Sequence, residues 1–249
     1  MYLYLGIAVL LLLLIVFFRR PENLASDCLK PEVVTIDSGI PGPCIGMVGS
    51  VHGNEPAGAY TITRMLANDE FKLKSGKVIL LPQANPCGLD RNVRENPQSG
   101  NDINRQFGEN GAMDETSSHI LEALKTCDVI LDFHEGWSWH LETKASLNPF
   151  TQISVGSTLT PSNHEIWKTL APQVIEALNL QIQEPLKKFS ILWNQSCKIE
   201  SSLNCYAAKN NRPYMLIETS GQNDIQPLVV REQQNRTIIF TVMRKLGVM

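Results

Sequence analysis

A histidine and a glutamate, His52 and Glu55, stand three positions apart just after an apolar run, Cys44–Val48. Pro56 follows them and fits the first turn of a helix, where its missing N–H group is tolerated. On such a strand-to-helix turn an imidazole and a carboxylate can converge on one point, as two ligands of a zinc site do. The pair alone is weak evidence, because an acidic residue also suits a helix N-terminus through the helix dipole.

Two further apolar runs deliver titratable side chains to the same predicted edge. His134 follows Asp128–Phe133, and Glu218 follows Tyr214–Ile217. Open α/β sheets bind ligands beyond the carboxyl ends of their strands, so we expect both residues to lie near His52. An unpaired carboxylate after a buried strand is costly, and we therefore interpret Glu218 as a general base in a semi-apolar pocket. Taken alone, His134 would be interpreted as a hydrogen-bonded histidine at a strand end.

The segment between the two histidines carries fixed positive charge, on Arg91, Arg94 and Arg105. Guanidinium groups can bind a substrate anion or stabilise a developing oxyanion. A solvated basic loop is the alternative interpretation, and it would be favoured if the neighbouring motifs were absent.

Short apolar runs alternate with amphipathic stretches, which is typical of an α/β protein. No polar linker divides residues 31–249, so we expect one catalytic domain there. Pro172 predicts a kink or break in the third helix. The predicted strands are Val33–Ile36, Cys44–Val48, Val78–Leu81, Asp128–Phe133, Ile153–Val155 and Tyr214–Ile217, and the predicted helices are Pro56–Ala67, Glu115–Lys125, Glu165–Ala177 and Leu228–Leu246.

The composition excludes several classes of protein. The 249 residues are 43% hydrophobic and 19% charged, which indicates a globular chain rather than a disordered or fibrous one. The net charge of −3 gives no electrostatic footprint for nucleic acid, so no nucleic-acid partner is expected. The six cysteines lack zinc-ribbon spacing, and a bridge between Cys197 and Cys205 is left open.

The first 18 residues carry no charged side chain, and Arg19 and Arg20 follow them. Eighteen helical residues span about 27 Å, roughly the thickness of a thin hydrocarbon core. We predict an uncleaved transmembrane anchor over residues 1–20, a tether over 21–30 and the lipid bilayer as a partner. A cleaved signal peptide and a core helix are the alternatives. The arginine pair then predicts a single-pass membrane protein with a cytoplasmic catalytic domain.

Taken in order, these motifs resemble the zinc carboxypeptidase superfamily, specifically its succinylglutamate desuccinylase/aspartoacylase branch. The resemblance implies a three-layer α/β/α sandwich with a mixed central sheet and one catalytic Zn²⁺ per chain. It extends over most of the chain after the predicted anchor. The matching residues are His52-x-x-Glu55, Asn85-Pro86, Arg94, Asp102-x-Asn104-Arg105, His134 and Glu218.

The resemblance also implies a catalytic role for five of these residues. His52, Glu55 and His134 would hold the zinc ion and leave a fourth position for water. Glu218 would act as the general base on that water, and Arg94 would polarise the scissile carbonyl.

The remaining matched residues would bind substrate or support the site. Asn104 and Arg105 would bind a substrate carboxylate. Asp102 would support its loop or orient a zinc-binding histidine. Arg91 lies close enough in sequence to be an alternative to Arg94.

The function expected from these motifs is zinc-dependent hydrolysis of an amide bond in a small N-acyl amino acid or a carboxylate-bearing peptide. A metallocarboxypeptidase acting on peptides or cell-wall fragments is the first alternative, and a catalytically silent membrane-anchored binding module is the second. Only 31 residues follow Glu218, so we expect no C-terminal β-rich domain of the aspartoacylase kind over the pocket. Trp137 and Trp139 are expected to wall that pocket.

Overall fold

The computed structural model describes residues 30–108, 110–193 and 197–249. The predicted anchor over residues 1–20 lies outside these ranges, and so does the predicted tether except for Lys30. Within the described ranges, no helix combines the length and the apolar character needed to cross a bilayer. The membrane anchor therefore stays a prediction from the sequence.

Most strands belong to one central sheet of seven strands. The strands of the described residues are β1 (Val34–Asp37), β2 (Cys44–Gly49), β3 (Lys77–Leu81), β4 (Phe107–Gly108), β5 (Gly111–Ala112), β6 (Val129–Gly136), β7 (Thr158–Pro161), β8 (Ser190–Ile191) and β9 (Tyr214–Ser220). The order across the sheet is β1-β3-β2-β6-β9-β7-β8, while β4 and β5 form a separate hairpin.

The four central strands, β3, β2, β6 and β9, run parallel to one another. β1 pairs antiparallel with β3, and β7 pairs antiparallel with β9. The prediction of an α/β fold with a mixed sheet is thus confirmed. Parallel neighbours present their carboxyl ends at the same edge, and this edge is where the predicted site residues lie.

Seven α-helices surround the sheet in the described part of the chain. They are α1 (Ala57–Ala67), α2 (Pro86–Arg91), α3 (Glu115–Leu124), α4 (His140–Lys144), α5 (Glu165–Asn179), α6 (Leu203–Lys209) and α7 (Leu228–Lys245). Short 3-10 helices cover Ile103–Arg105, Pro185–Lys187 and Gln222–Asp224.

Two apolar cores lie on opposite faces of the sheet. On one face, α1, α5 and α7 pack against strand residues such as Met47 and Leu131. On the other face, α3 and α6 pack against residues such as Ile130 and Tyr214. Burial on both faces explains why the central strands are almost continuously apolar in sequence. The layers are therefore helix, sheet and helix.

One predicted strand is wrong. Ile153–Val155 forms no strand, and the next strand is β7 instead. Ile153 and Val155 are 56% and 45% exposed, because they line a cleft rather than a sheet. α5 runs continuously through Pro172, so the helix is not broken there, and the predicted kink stays a prediction.

The turn after β2 packs directly against α2. Gly53 approaches Gly88 so closely that a Cβ atom on Gly53 would lie 1.9 Å from a backbone carbon. Asn85 caps α2 by accepting from the Gly88 N–H at 3.0 Å. The Asn85 side chain also donates to the carbonyl of Arg94 at 3.3 Å. Asn85 therefore links the turn after β2 to the arginine-bearing loop.

Candidate metal centre

The three predicted metal ligands converge at the carboxyl edge of the sheet, where all three are buried. Glu55 lies between the two histidines: its Oε1 is 2.9 Å from Nδ1 of His52, and its Oε2 is 2.8 Å from Nδ1 of His134. The two Nδ1 atoms are 3.0 Å apart. His134 lies within β6, which continues to Gly136 instead of ending at Phe133 as predicted. The longer pairing of β6 with β9 accounts for this extension.

This donor set fits a zinc ion. Its ligand atoms lie within 4.8 Å of one another, and imidazole nitrogens and carboxylate oxygens are common zinc ligands. Ligands at about 2.0–2.1 Å from a tetrahedral ion are separated by about 3.3 Å, close to the spacing of these donor atoms.

A carboxylate faces the outer ring nitrogen of each histidine. Asp102 Oδ1 is 3.2 Å from Nε2 of His52, and Asp132 Oδ2 is 3.2 Å from Nε2 of His134. The Asp102 contact is a hydrogen bond and can fix the orientation of the His52 imidazole, whereas Asp132 lies near Nε2 of His134 without hydrogen-bond geometry. Asp132, which accepts a hydrogen bond from the Tyr214 hydroxyl at 2.5 Å, was missed in the sequence. The two-residue period of a strand puts Asp132 and His134 on one face, so the sequence pattern could have predicted that Asp132 lies near His134.

The electrostatics of the cluster favour positive charge at its centre. Burial lowers the pKa of His134, but the carboxylates of Asp132 and Glu55 more than offset this effect and raise it well above its usual value. Burial raises the pKa of Glu55, yet the charges of His52 and His134 hold it well below its ordinary range. Glu55 is therefore ionised, as a metal ligand must be.

Glu218 faces the same cleft from the neighbouring strand. It stands opposite His134 in the parallel register of β9 and β6, within β9 instead of after it. Burial raises the pKa of Glu218 to about 8, with His134 opposing the shift and Glu55 adding to it. This carboxyl group therefore binds a proton more strongly than an exposed glutamate does.

Arg94 is the arginine that reaches the metal centre. Its Nε and Nη2 donate to Asp102 Oδ2 at 3.0 and 2.9 Å, and its Nη1 donates to Glu55 Oε1 at 3.3 Å. Arg94 lines the cleft, whereas Arg91 is exposed at the end of α2 and does not line it. Of the two arginines that the sequence left open, Arg94 is therefore the one that lies at the metal centre.

Asn104 and Arg105 lie in the same cleft. The Asn104 Oδ1 accepts from the backbone N–H of Leu203 at 2.9 Å. This bond fixes the orientation of the amide, and the NH₂ group remains as the end that can donate to a ligand. Arg105 donates to the Asn104 carbonyl at 2.8 Å and its side chain is 38% exposed.

The cleft has a volume of about 480 Å³ and one apolar wall. Trp137 belongs to its lining, as predicted, but Trp139 does not and instead lies under the Lys187 ammonium group. His140 also lines the cleft, with its Nδ1 atom 2.8 Å from the Ser154 carbonyl oxygen. The apolar wall consists of Trp137, Ile153, Val155, Leu192, Ile199 and Leu216.

Two features of the cleft could not be inferred from local sequence patterns. Gln222 donates through Nε2 to Glu55 Oε1 at 3.0 Å and to the Glu135 carbonyl at 2.6 Å. Cys197 and Cys205 form a disulfide beside the cleft, a pairing that the sequence left open.

Comparison with known proteins agrees with this geometry. Residues 41–144 match the sequence model of the succinylglutamate desuccinylase/aspartoacylase catalytic domain. The fold is similar to tripeptide-bound cell shape determinant Csd4 of Helicobacter pylori, with a TM-score of 0.69 and 18% identity over 88% of this chain and 56% of that chain. No curated protein matches the sequence.

Two other solved structures show the same fold. The mDAP-bound form of Helicobacter pylori Csd4, described as a D,L-carboxypeptidase, has a TM-score of 0.68 and 19% identity over 84% of this chain and 52% of that one. The succinylglutamate desuccinylase/aspartoacylase of Rhodobacter sphaeroides has a TM-score of 0.58 and 21% identity over 87% and 58%. The chain spans 56% of the length of the first of these structures.

The resemblance to the zinc carboxypeptidase superfamily is thereby confirmed. It rests on the matched catalytic-domain model, on the fold and on the His-Glu-His group at the carboxyl edge of the sheet. The proteins named in these comparisons are hydrolases, among them a carboxypeptidase and a desuccinylase/aspartoacylase.

We expect the full chain to bind one zinc ion and His134→Ala to weaken that binding by more than about 100-fold, since removing a ligand costs more than removing its supporting partner. The dissociation constant can be measured by competition with a chromophoric chelator. His140→Ala is the matched control, because His140 is also a buried histidine of the cleft but its ring bonds to Ser154. Equal zinc binding by both variants would contradict the assignment.

Proposed function

We propose that the chain is a zinc-dependent hydrolase that cleaves an amide bond beside a carboxylate, in an N-acyl amino acid or a carboxylate-bearing peptide. One observation carries this proposal: Glu218 stands in register beside His134, so a carboxyl group with strong proton affinity faces the three-residue metal centre. A general base must lie within reach of the water that it deprotonates.

A zinc ion held by His52, Glu55 and His134 would supply Lewis acidity, which polarises the scissile carbonyl and makes a coordinated water more acidic. Glu218 would accept a proton from the attacking water at its carboxylate. It would then pass that proton to the leaving amine as the bond breaks.

The two arginines of the cleft would have different roles, one at the scissile carbonyl and one at the substrate carboxylate. Arg94 is one-third exposed and is held by Asp102 and Glu55, so its guanidinium can donate to a carbonyl oxygen as negative charge develops there. Arg105 would bind the substrate carboxylate, and the oriented amide of Asn104 would donate a second hydrogen bond to it.

A carboxypeptidase acting on peptides is the second candidate, and the volume and apolar lining of the cleft support it. A volume of about 480 Å³ and the apolar wall can hold more than one residue of a peptide. Lys198 adds another cation to the lining. Similarity to tripeptide-bound Csd4 supports the same substrate class. A silent binding module is disfavoured, because the chain has every residue required for the proposed reaction.

We also propose that residues 1–20 attach the domain to a bilayer. Arg19 and Arg20 favour a cytoplasmic domain, as predicted from the sequence. The Cys197–Cys205 disulfide favours an oxidising compartment instead. The redox state of these two cysteines in cells distinguishes the two sides of the membrane.

Replacing Glu218 by Gln should reduce turnover by about 10²–10⁴-fold, because the amide cannot accept the proton. Zinc content should remain at the wild-type level, since Glu218 lies outside the ligand group. Hydrolysis of N-acyl amino acids and short peptides with free carboxyl ends measures the loss. Wild-type turnover by this variant would show that Glu218 is not the base.

Arg105→Met should raise KM for a carboxylate substrate by about 10- to 100-fold, the effect of losing one charge-assisted hydrogen bond, and should not change KM for the amidated analogue. Arg94→Met should instead lower kcat by about 10²–10³-fold. Arg91→Met serves as the control, because Arg91 lies outside the cleft lining. If Arg91→Met lowered kcat while Arg94→Met did not, the two assignments would have to be exchanged.

A further inference from the structure

The proposed reaction makes no use of Glu135, a buried acidic residue directly after His134. Glu135 is 2% exposed, and both of its backbone polar groups form hydrogen bonds with residues in or beside the metal centre. Its N–H donates to Glu55 Oε2 at 3.1 Å. Its carbonyl accepts from Gln222, the residue that also donates to Glu55 Oε1. The backbone of Glu135 therefore holds both oxygens of the ligand Glu55, one directly and one through Gln222.

The Glu135 carboxylate connects two further elements. Its Oε1 accepts from the N–H of Ala57 at 2.7 Å, at the first residue of α1. The unpaired N–H groups and the dipole at the start of a helix favour a carboxylate there. Ala57 follows Glu55 by two residues, so this bond ties the turn that carries His52 and Glu55 to the strand that carries His134.

Arg231 of α7 supplies the opposite charge. Its Nη1 forms an ion pair with Glu135 Oε2, and both side chains are at most 4% exposed. A buried carboxylate is strongly destabilising without such a partner. The chain leaves room for this contact only because residue 221 is glycine: a Cβ atom on Gly221 would lie 1.5 Å from Glu135 Oε2.

We propose that Glu135 and Arg231 are positioning residues for the metal centre, and that α7 acts on the ligands through this ion pair. The inference rests on the proposed zinc site. With the pair intact, the turn after β2 and strand β6 are held at the spacing that brings Glu55 between the two histidines. With either charge removed, the turn loses this anchor, and the spacing of the three ligand atoms becomes less favourable for a metal ion. Neither residue is a ligand or touches the reacting atoms.

Zinc affinity of the full chain tests this proposal without any substrate. We expect Arg231→Gln and Glu135→Gln each to raise the zinc dissociation constant by about 10- to 100-fold, the usual effect of losing an outer partner of a metal ligand. Because the two side chains act as a pair, the double variant should cost little more than either single variant. Arg231→Lys keeps the charge and should restore part of the affinity.

Arg236→Gln is the matched control, because Arg236 also lies on α7 and forms an ion pair with Glu70, outside the metal centre. We expect this variant to lower the melting temperature of the metal-free protein and to leave zinc affinity unchanged. A merely structural role for Arg231 would produce the same pattern. Wild-type zinc affinity in folded Arg231→Gln or Glu135→Gln would therefore overturn the proposal.

Other outcomes of the zinc titration distinguish a folding defect, a wrong metal site and a wrong reaction. If Arg231→Gln fails to fold, judged by far-UV circular dichroism, Arg231→Lys and Glu135→Gln carry the same comparison. If the wild-type chain itself binds no zinc, the assignment of the metal site is wrong, and the proposed positioning role of Glu135 and Arg231 is wrong as well. Zinc binding without hydrolysis would instead count against the proposed reaction alone.

Discussion

The Glu55 carboxylate, buried between two imidazoles, is the contact on which the rest of the site depends. A carboxylate away from water is tolerated only when hydrogen bonds and positive charge compensate it. Its Oε1 accepts from Arg94 and Gln222 and lies 2.9 Å from Nδ1 of His52. Its Oε2 accepts from the Glu135 N–H and lies 2.8 Å from Nδ1 of His134. These partners come from separate parts of the chain, so satisfying one carboxylate brings four segments together at one point.

The parallel centre of the sheet makes this convergence possible. β2, β6 and β9 are adjacent and run in the same direction, so the residues at their carboxyl ends share one edge. Two of the predicted metal ligands, His52 and Glu55, lie on the turn after β2, His134 lies in β6, and the proposed base lies in β9. The register between β6 and β9 places the proposed base beside a predicted metal ligand, because His134 and Glu218 stand directly opposite each other. The apolar wall, Arg94 and Arg105 complete the lining of the cleft.

Strand-end reasoning predicted which residues would meet, because it depends only on apolar runs and the residues directly after them. It placed His52, Glu55, His134 and Glu218 correctly at one edge. It could not predict Gln222 or Arg231, whose contacts join residues 167 and 96 positions apart and depend on tertiary packing. The error at Ile153–Val155 has a related cause, since apolar residues that line a cleft have the same composition as a short strand.

Anomalous diffraction at the zinc edge, from crystals of the zinc-loaded chain, is the most direct test of the His-Glu-His metal centre. We predict one strong peak within about 2.0–2.2 Å of Nδ1 of His52, Nδ1 of His134 and a carboxylate oxygen of Glu55. Glu218 should face that peak without binding it. A peak at another group of residues, or no peak in zinc-loaded crystals, would contradict this assignment.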